Sequence, residues 1–178
     1  MKRLKSYFSS KATVKKSAIF GRGLFAIRPI KKGETVLKYG GFVAGSIRTW
    51  LSRIFVGDYD WQIGRGKFIM PLSIGTLEEV HRFNHSCNPN LGVKDQRTAV
   101  ALRDIKVGEE LTLDYAIIST NEPFFLFQYH FDCLCGFKEC RKIITGDDWK
   151  RKDLQEKYQG YFTTYLEKKI RALNSKKH

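Results

Sequence analysis

No stretch of this chain reaches the ~18 consecutive apolar residues that a membrane-spanning helix needs. The opening MKRLKSYFSSKATVKK also lacks the apolar block of a secretory signal. Membrane insertion and export by a conventional signal are therefore not expected, and the protein is placed inside the cell, in the cytoplasm or with the nucleoid or nucleus. A Lys/Ser-rich, acid-poor start also fits an organelle transit peptide, but a short basic arm leading into a folded domain is the simpler reading. Acidic residues are scarce as well. Eighteen Asp and Glu stand against 32 Lys and Arg, for a formal net charge of +14. Such an excess favours nucleic acid or another acidic partner, and it equally describes a solvated surface that keeps a protein soluble.

At 178 residues the chain has room for one domain with its own core and modest appendages, which excludes a multi-domain machine. Hydrophobic residues at 42% and aromatics at 13% supply enough apolar material for a packed globule. Residues 1–13 read as a flexible basic arm. Beyond them, short apolar segments at 23–27, 35–39, 67–70, 98–102 and 111–115 alternate with turn signals such as Lys32-Gly33, Gly40-Gly41 and Val107-Gly108. This pattern predicts a mainly β domain of several small sheets with short helices. Ile47, Trp50, Leu51 and Ile54 recur at helical spacing and predict a core-facing helix near 47–55. The same spacing in Leu154, Tyr158, Phe162, Tyr165, Leu166, Ile170 and Leu173 predicts a helical tail over 146–178, divided at Gly160. Asp153-x-x-Glu156 and Thr164-x-x-Glu167 read as its two helix starts.

Cysteine is rare, and its placement is informative. Cys133, Cys135 and Cys140 fall within eight residues, and Cys87 is the only other thiol. Four thiolates suit one tetrahedral zinc. The alternatives are two disulfides or four unrelated thiols. The first lacks an exported context and strains the short Cys133–Cys135 loop; the second leaves the clustering unexplained. A zinc held by four protein ligands has no open position, so it would be structural. Two further features are weak alone. The polar run from Arg82 to Asn90 can be a simple turn, and a lone His85 is commonly a hydrogen-bonded structural residue. Gly21-Arg22-Gly23 lacks a full dinucleotide or P-loop pattern.

Together these features carry more. Gly-Arg-Gly-Leu-Phe-Ala at 21–26, Asn-His-Ser-Cys-x-Pro-Asn at 84–90, Gly-Glu-Glu-Leu-Thr-x-Asp-Tyr at 108–115 and Cys-x-Cys-Gly-x-x-x-Cys-Arg at 133–141 stand in this order. The combination resembles the SET domain with its post-SET zinc segment, the fold of a family of protein-lysine methyltransferases that use S-adenosylmethionine. The resemblance implies a SET domain at 14–118 whose chain is threaded as a pseudoknot, a post-SET zinc segment at 119–145, and the tail at 146–178. Gly21, Arg22, Gly23 and Leu24 would meet the methyl donor, with Asn84, His85, Tyr115 and Leu134 completing its pocket. Tyr115 matches the catalytic tyrosine. Tyr39, Tyr59 and Leu113 would line the substrate lysine's channel, and Cys87, Cys133, Cys135 and Cys140 would hold one structural zinc.

The implied partner is a protein bearing a target lysine, which the chain's charge places in a nucleic-acid-containing assembly. The chain departs from the family at three points. Phe83 adjoins Asn84 directly after Arg82, Phe42 stands where many members have glutamate, and Leu113 stands where Phe or Tyr is usual. Leucine there leaves room for a methylated amine to turn, so more than one methyl group is expected on the product. The competing reading is a catalytically silent SET-like module that docks on chromatin or nucleic acid through its basic arms.

Overall fold

A computed structural model describes residues 1–121 and 130–175. The expected 119–145 segment and 146–178 tail extend into 122–129 and 176–178, which lie outside the described residues. Among the described residues, no helix is long and apolar enough to cross a membrane.

The strands are short. In chain order they are β1 (Arg3–Leu4), β2 (Tyr7–Phe8), β3 (Ala12–Lys16), β4 (Arg22–Ala26), β5 (Thr35–Lys38), β6 (Gly41–Gly45) and β7 (Trp61–Gly64). They continue with β8 (Lys67–Met70), β9 (Asn84–His85), β10 (Leu91–Val93), β11 (Thr98–Ala101), β12 (Glu110–Leu113), β13 (His130–Asp132) and β14 (Ile143–Thr145). Three four-stranded sheets result, ordered β1-β6-β8-β7, β10-β11-β5-β2 and β3-β4-β12-β9, with β13-β14 as a separate hairpin. The expected mainly β architecture with short helices is present.

β12 explains how the site is assembled. It pairs antiparallel with β4 and parallel with β9, matching Thr112 to Asn84 and Leu113 to His85. A strand paired on both edges and packed on both faces should read as continuously buried, and Leu111, Thr112 and Leu113 all are. Two distant polar motifs, 84–90 and 108–115, are thereby held in register.

The flexible arm expected over 1–13 does not form. β1 pairs with the edge of β6 and β2 with the edge of β5, while Ser9 donates its N–H to the Val36 carbonyl at 2.9 Å. Leu4 and Phe8 pack against the core, and Ser9 and Ala12 are buried. The cause is backbone pairing: two-residue strands are too short to leave a period, and the lysines between them remain compatible with strand edges.

The first helix, α1 (Ser46–Phe55), occupies its expected place with an unexpected orientation. It is not core-facing. Only Thr49 is buried, donating its hydroxyl to the Gly45 carbonyl at 3.0 Å. Ile47, Leu51, Ile54 and Phe55 face solvent. The helix is anchored instead by polar contacts. Arg53 holds Asp60 with two hydrogen bonds of 2.7 and 2.9 Å, and the Ser52 hydroxyl donates to the Pro71 carbonyl at 3.1 Å.

The tail behaves as its spacing predicts. Helices α2 (Lys152–Lys157) and α3 (Thr164–Ser175) flank Gly160, which takes a φ of 78° in the turn between them. Leu154, Tyr158, Phe162, Leu166 and Ile170 are buried. The expected caps are corrected. The Thr163 hydroxyl, rather than that of Thr164, accepts the Leu166 N–H at 3.4 Å, and Asp153 pairs with Arg151 at 2.8 Å instead of capping α2. Thr163 is fully buried, and its N–H donates to the Ile117 carbonyl at 3.0 Å, docking the start of α3 two residues beyond Tyr115.

Candidate active site and thiolate cluster

The turn at 21–23 is held against the 84–90 loop by one carboxylate. Glu110, at the start of β12, accepts from the Ser17 hydroxyl at 2.9 Å and from Asn84 Nδ2 at 2.7 Å. Asn84 Nδ2 also donates to the Phe20 carbonyl at 3.0 Å. A Cβ at Gly23 would collide with the Glu110 carboxylate, and Gly21 has a φ of 49°, so each glycine has its own reason. Arg22 is exposed, whereas the Leu24 side chain lies in the core. Only the backbone of Leu24 can face a ligand.

Tyr115 opens a 3-10 turn, Tyr115–Ile117, immediately after β12. Its N–H donates to His85 Nδ1 at 3.2 Å and its hydroxyl donates to the Phe83 carbonyl at 3.0 Å. Because Nδ1 accepts, the neutral His85 ring carries its proton on Nε2, which lies 3.5 Å from Cys87 Sγ. Burial holds His85 at about 4, with the Arg141 charge lowering and the Asp114 charge opposing, so the ring is neutral near pH 7. Burial also pushes the Tyr115 phenol well above its ordinary range, reinforced by Asp58, Tyr59 and Glu110. It acts as a hydrogen-bond donor rather than a base.

Aromatic rings pack against the Tyr115 ring and against one another. Phe83 stands edge-on to Tyr115 with centroids 5.9 Å apart, and Tyr39 and Trp61 lie 6.0 and 5.7 Å from Phe83. Phe131 closes another side, 5.7 Å from Tyr115 and 5.8 Å from His85. The Tyr39 hydroxyl donates to the Tyr59 carbonyl at 2.9 Å, which joins these two expected channel residues. Leu113 is fully buried in the core beneath them. Leu134 is exposed.

The four cysteines are free thiols whose sulfur atoms all lie within 4.8 Å of one another. Cys87 Sγ is 3.8 Å from Cys133 Sγ and 4.0 Å from Cys140 Sγ. A tetrahedral site with metal–sulfur bonds of about 2.3 Å has edges of about 3.8 Å, so the donor set fits a closed metal site. Backbone amides support the negative charge such a site gathers. Arg141 N–H donates to Cys87 Sγ at 3.4 Å and Lys142 N–H to Cys140 Sγ at 3.3 Å. Burial opposes ionisation of Cys135, but hydrogen bonds from the Cys87 and Phe137 amides and from the Cys133 and Cys140 thiols together bring it down to about 7, while burial pushes Cys87 and Cys133 up.

A family model for the SET domain matches residues 21–116, more than half of the 178-residue chain. The chain belongs to the SET-domain family. This SET protein is 31% identical over 157 residues to the histone-lysine N-methyltransferase TRX1 of Oryza sativa subsp. japonica, an alignment covering 80% of the chain and 14% of that relative. It is 34% identical over 155 residues to histone-lysine N-methyltransferase 2B of Homo sapiens, covering 80% of the chain and 6% of the relative. The SET protein thus spans a small fraction of these relatives' length. Among solved structures, a chain from apo ctPRC2 with mutated Ezh2 matches with a TM-score of 0.50 at 25% identity, covering 58% of this chain and 15% of that one.

Several residues that hold this candidate site together escape sequence reasoning. Glu110 sits inside a motif, yet nothing in its spacing says that its carboxylate grips Asn84. Asn90 likewise ties the 84–90 loop to β12, donating to the Glu110 carbonyl at 2.8 Å and accepting from the Thr112 N–H at 3.0 Å. Arg141 was visible only as the residue after the last cysteine, although its guanidinium bonds Asp114 at 2.6 Å.

Proposed function

We propose that this SET protein transfers a methyl group from S-adenosylmethionine to a lysine amine on a protein substrate, with one zinc bound by Cys87, Cys133, Cys135 and Cys140. The observation that carries the reading is the Tyr115 hydroxyl, kept protonated and aimed at the Phe83 carbonyl inside an aromatic wall, beside a glycine turn tied to Asn84. The printed names of the SET relatives, histone-lysine N-methyltransferases, support the same class. The parallel β9–β12 pairing is compatible with the family's pseudoknot.

The chemistry demands little beyond placement. The donor supplies an activated methyl on a sulfonium. The Gly21–Gly23 turn offers close backbone approach, and Asn84 fixes that turn. Tyr39, Trp61 and Phe83 form an apolar wall that strips water from an entering lysine, which lowers its pKa and favours the neutral, nucleophilic amine. The Tyr115 hydroxyl and the Phe83 carbonyl are fixed dipoles that orient the reacting atoms without reorganisation. The zinc would be structural, holding the 133–140 loop against Cys87. The net charge of +14 supports substrates within acidic or nucleic-acid-containing assemblies inside the cell.

Tyr115→Phe removes one hydroxyl and keeps the ring. Methyl transfer measured with labelled donor is expected to fall about a hundredfold to a thousandfold with donor binding retained. Unchanged turnover removes Tyr115 from this role and restores the silent-module reading. Leu113 carries no hydroxyl to hold a partly methylated amine, so the product is expected to pass beyond monomethyl lysine, and Leu113→Tyr to shift it back. Mass spectrometry of a time course decides this, and product that stops at monomethyl with excess donor refutes it.

A further inference from the structure

Asp114, the residue before Tyr115, is fully buried. An isolated carboxylate there would be strongly destabilising, so its partners indicate what the fold holds in place. Oδ1 accepts the Ala116 N–H at 3.0 Å, which caps the turn carrying Tyr115, and accepts Arg141 Nη2 at 2.6 Å. Oδ2 accepts the Tyr158 hydroxyl at 3.1 Å. The Arg141 side chain is itself buried and faces a second carboxylate, Asp148, at 3.4 Å. Burial and the Asp114 charge push the Tyr158 phenol well above its ordinary range, so it remains a donor.

These groups come from three separate parts of the chain. Asp114 directly follows β12, Arg141 directly follows Cys140 of the cysteine cluster, and Asp148 and Tyr158 belong to the tail. The neighbouring Lys157 ammonium also reaches across, donating to the Cys87 carbonyl at 2.8 Å. A structural tail would need only its apolar stripe. Here it places a hydroxyl on the carboxylate adjoining the candidate catalytic residue.

We infer that Arg141 and Tyr158 are positioning residues: they clamp the Asp114 carboxylate, and through it the turn that presents the Tyr115 hydroxyl, so the C-terminal tail sets the geometry of methyl transfer. The inference rests on the proposed role of Tyr115. Tyr158→Phe removes one donor to a buried charge while the ring still fills its space. A hydrogen bond to a charged group corresponds to about a tenfold to hundredfold change in an equilibrium or rate.

The test uses the full chain with its metal, labelled with 3-fluorotyrosine, the Tyr115 fluorine resonance being assigned by its loss in Tyr115→Phe. Four proteins are compared below their unfolding temperatures: the unsubstituted chain, Tyr158→Phe, Arg141→Lys and Leu166→Ala. The last removes a buried apolar side chain from α3 and leaves every donor to Asp114 in place. Tyr158→Phe is expected to move the Tyr115 resonance and slow single-turnover transfer about tenfold or more, with donor affinity and zinc content unchanged. Arg141→Lys, which keeps the charge, is expected to retain part of the rate. Leu166→Ala is expected to lose stability while keeping both the resonance and the rate. An unmoved resonance and full rate in Tyr158→Phe, with transfer abolished by Tyr115→Phe, overturn the clamp and leave the proposed function intact. An equal rate loss in Leu166→Ala overturns it too, because general loosening then suffices. Transfer that survives Tyr115→Phe defeats the functional reading instead, and the fluorine resonance alone then decides whether the clamp exists.

Discussion

The helix α1 and the C-terminal tail carry the same helical spacing of apolar residues and bury them to opposite degrees. In the tail, Leu154, Tyr158, Phe162, Leu166 and Ile170 all enter the core. In α1, Ile47 is 77% exposed and Phe55 is 75% exposed. Period reports that a segment is helical and which residues share a face; it does not report whether anything covers that face. The anchoring differs accordingly. The tail is held by apolar burial together with the Arg141–Asp148 pair and the Lys157–Cys87 hydrogen bond, whereas α1 is tied down by Arg53 with Asp60 and by Ser52.

The largest expected effect separates the two regions through the proposed zinc. Structural zinc contributes about 10 kcal/mol or more to the folding of small sites, so its removal should release the 133–140 loop. Because Lys157 and Arg141 connect that loop to the tail, hydrogen exchange at the described residues of 130–158 should accelerate sharply after treatment with a strong chelator. Exchange in α1 should stay unchanged. Zinc content measured on the purified protein is expected at one per chain, and equal acceleration in both regions would dissolve the distinction.

Leu166→Ala comes next. Leu166 is fully buried in the core, and truncating such a leucine typically costs about 2–5 kcal/mol through lost transfer energy and the cavity left behind. Urea denaturation at neutral pH should show this as a lower midpoint with an unchanged slope. A loss under about 1 kcal/mol would mean that the tail can collapse around the gap, and that its hold on the domain is chiefly ionic.

Much of the fold was legible. The strand segments read at 67–70 and 98–102 correspond to β8 and β11, and the turn glycines Gly33 and Gly108 adopt positive φ. The thiols are associated by sequence because Cys133, Cys135 and Cys140 are neighbours and Cys87 is the only other cysteine to complete a set of four. What stayed hidden depends on contacts between distant segments. Nothing local marks Glu110 as the grip on Asn84, or Tyr158 as a donor to Asp114 across 44 residues. Tyr158 was read correctly as buried, but an apolar stripe treats tyrosine as a ring, and the hydroxyl's partner lies in another motif. The N-terminal strands were missed because backbone pairing of two residues leaves no side-chain pattern to read.

The smallest expected effect tests the other half of the comparison. Phe55 lies at the end of α1 with its ring in solvent, and Ile54 beside it is 57% exposed. Exchanging either for serine removes little buried area, and substitutions at such positions usually change stability by no more than about 0.5 kcal/mol. Serine has a helix propensity close to those of isoleucine and phenylalanine, so the exchange adds little backbone cost. Ile54→Ser and Phe55→Ser, measured singly by urea denaturation beside Leu166→Ala, should therefore leave the midpoint almost unmoved. A loss above about 1 kcal/mol for either would show that the α1 stripe is covered in solution, and the contrast between the two helical regions would then be one of partner rather than of burial.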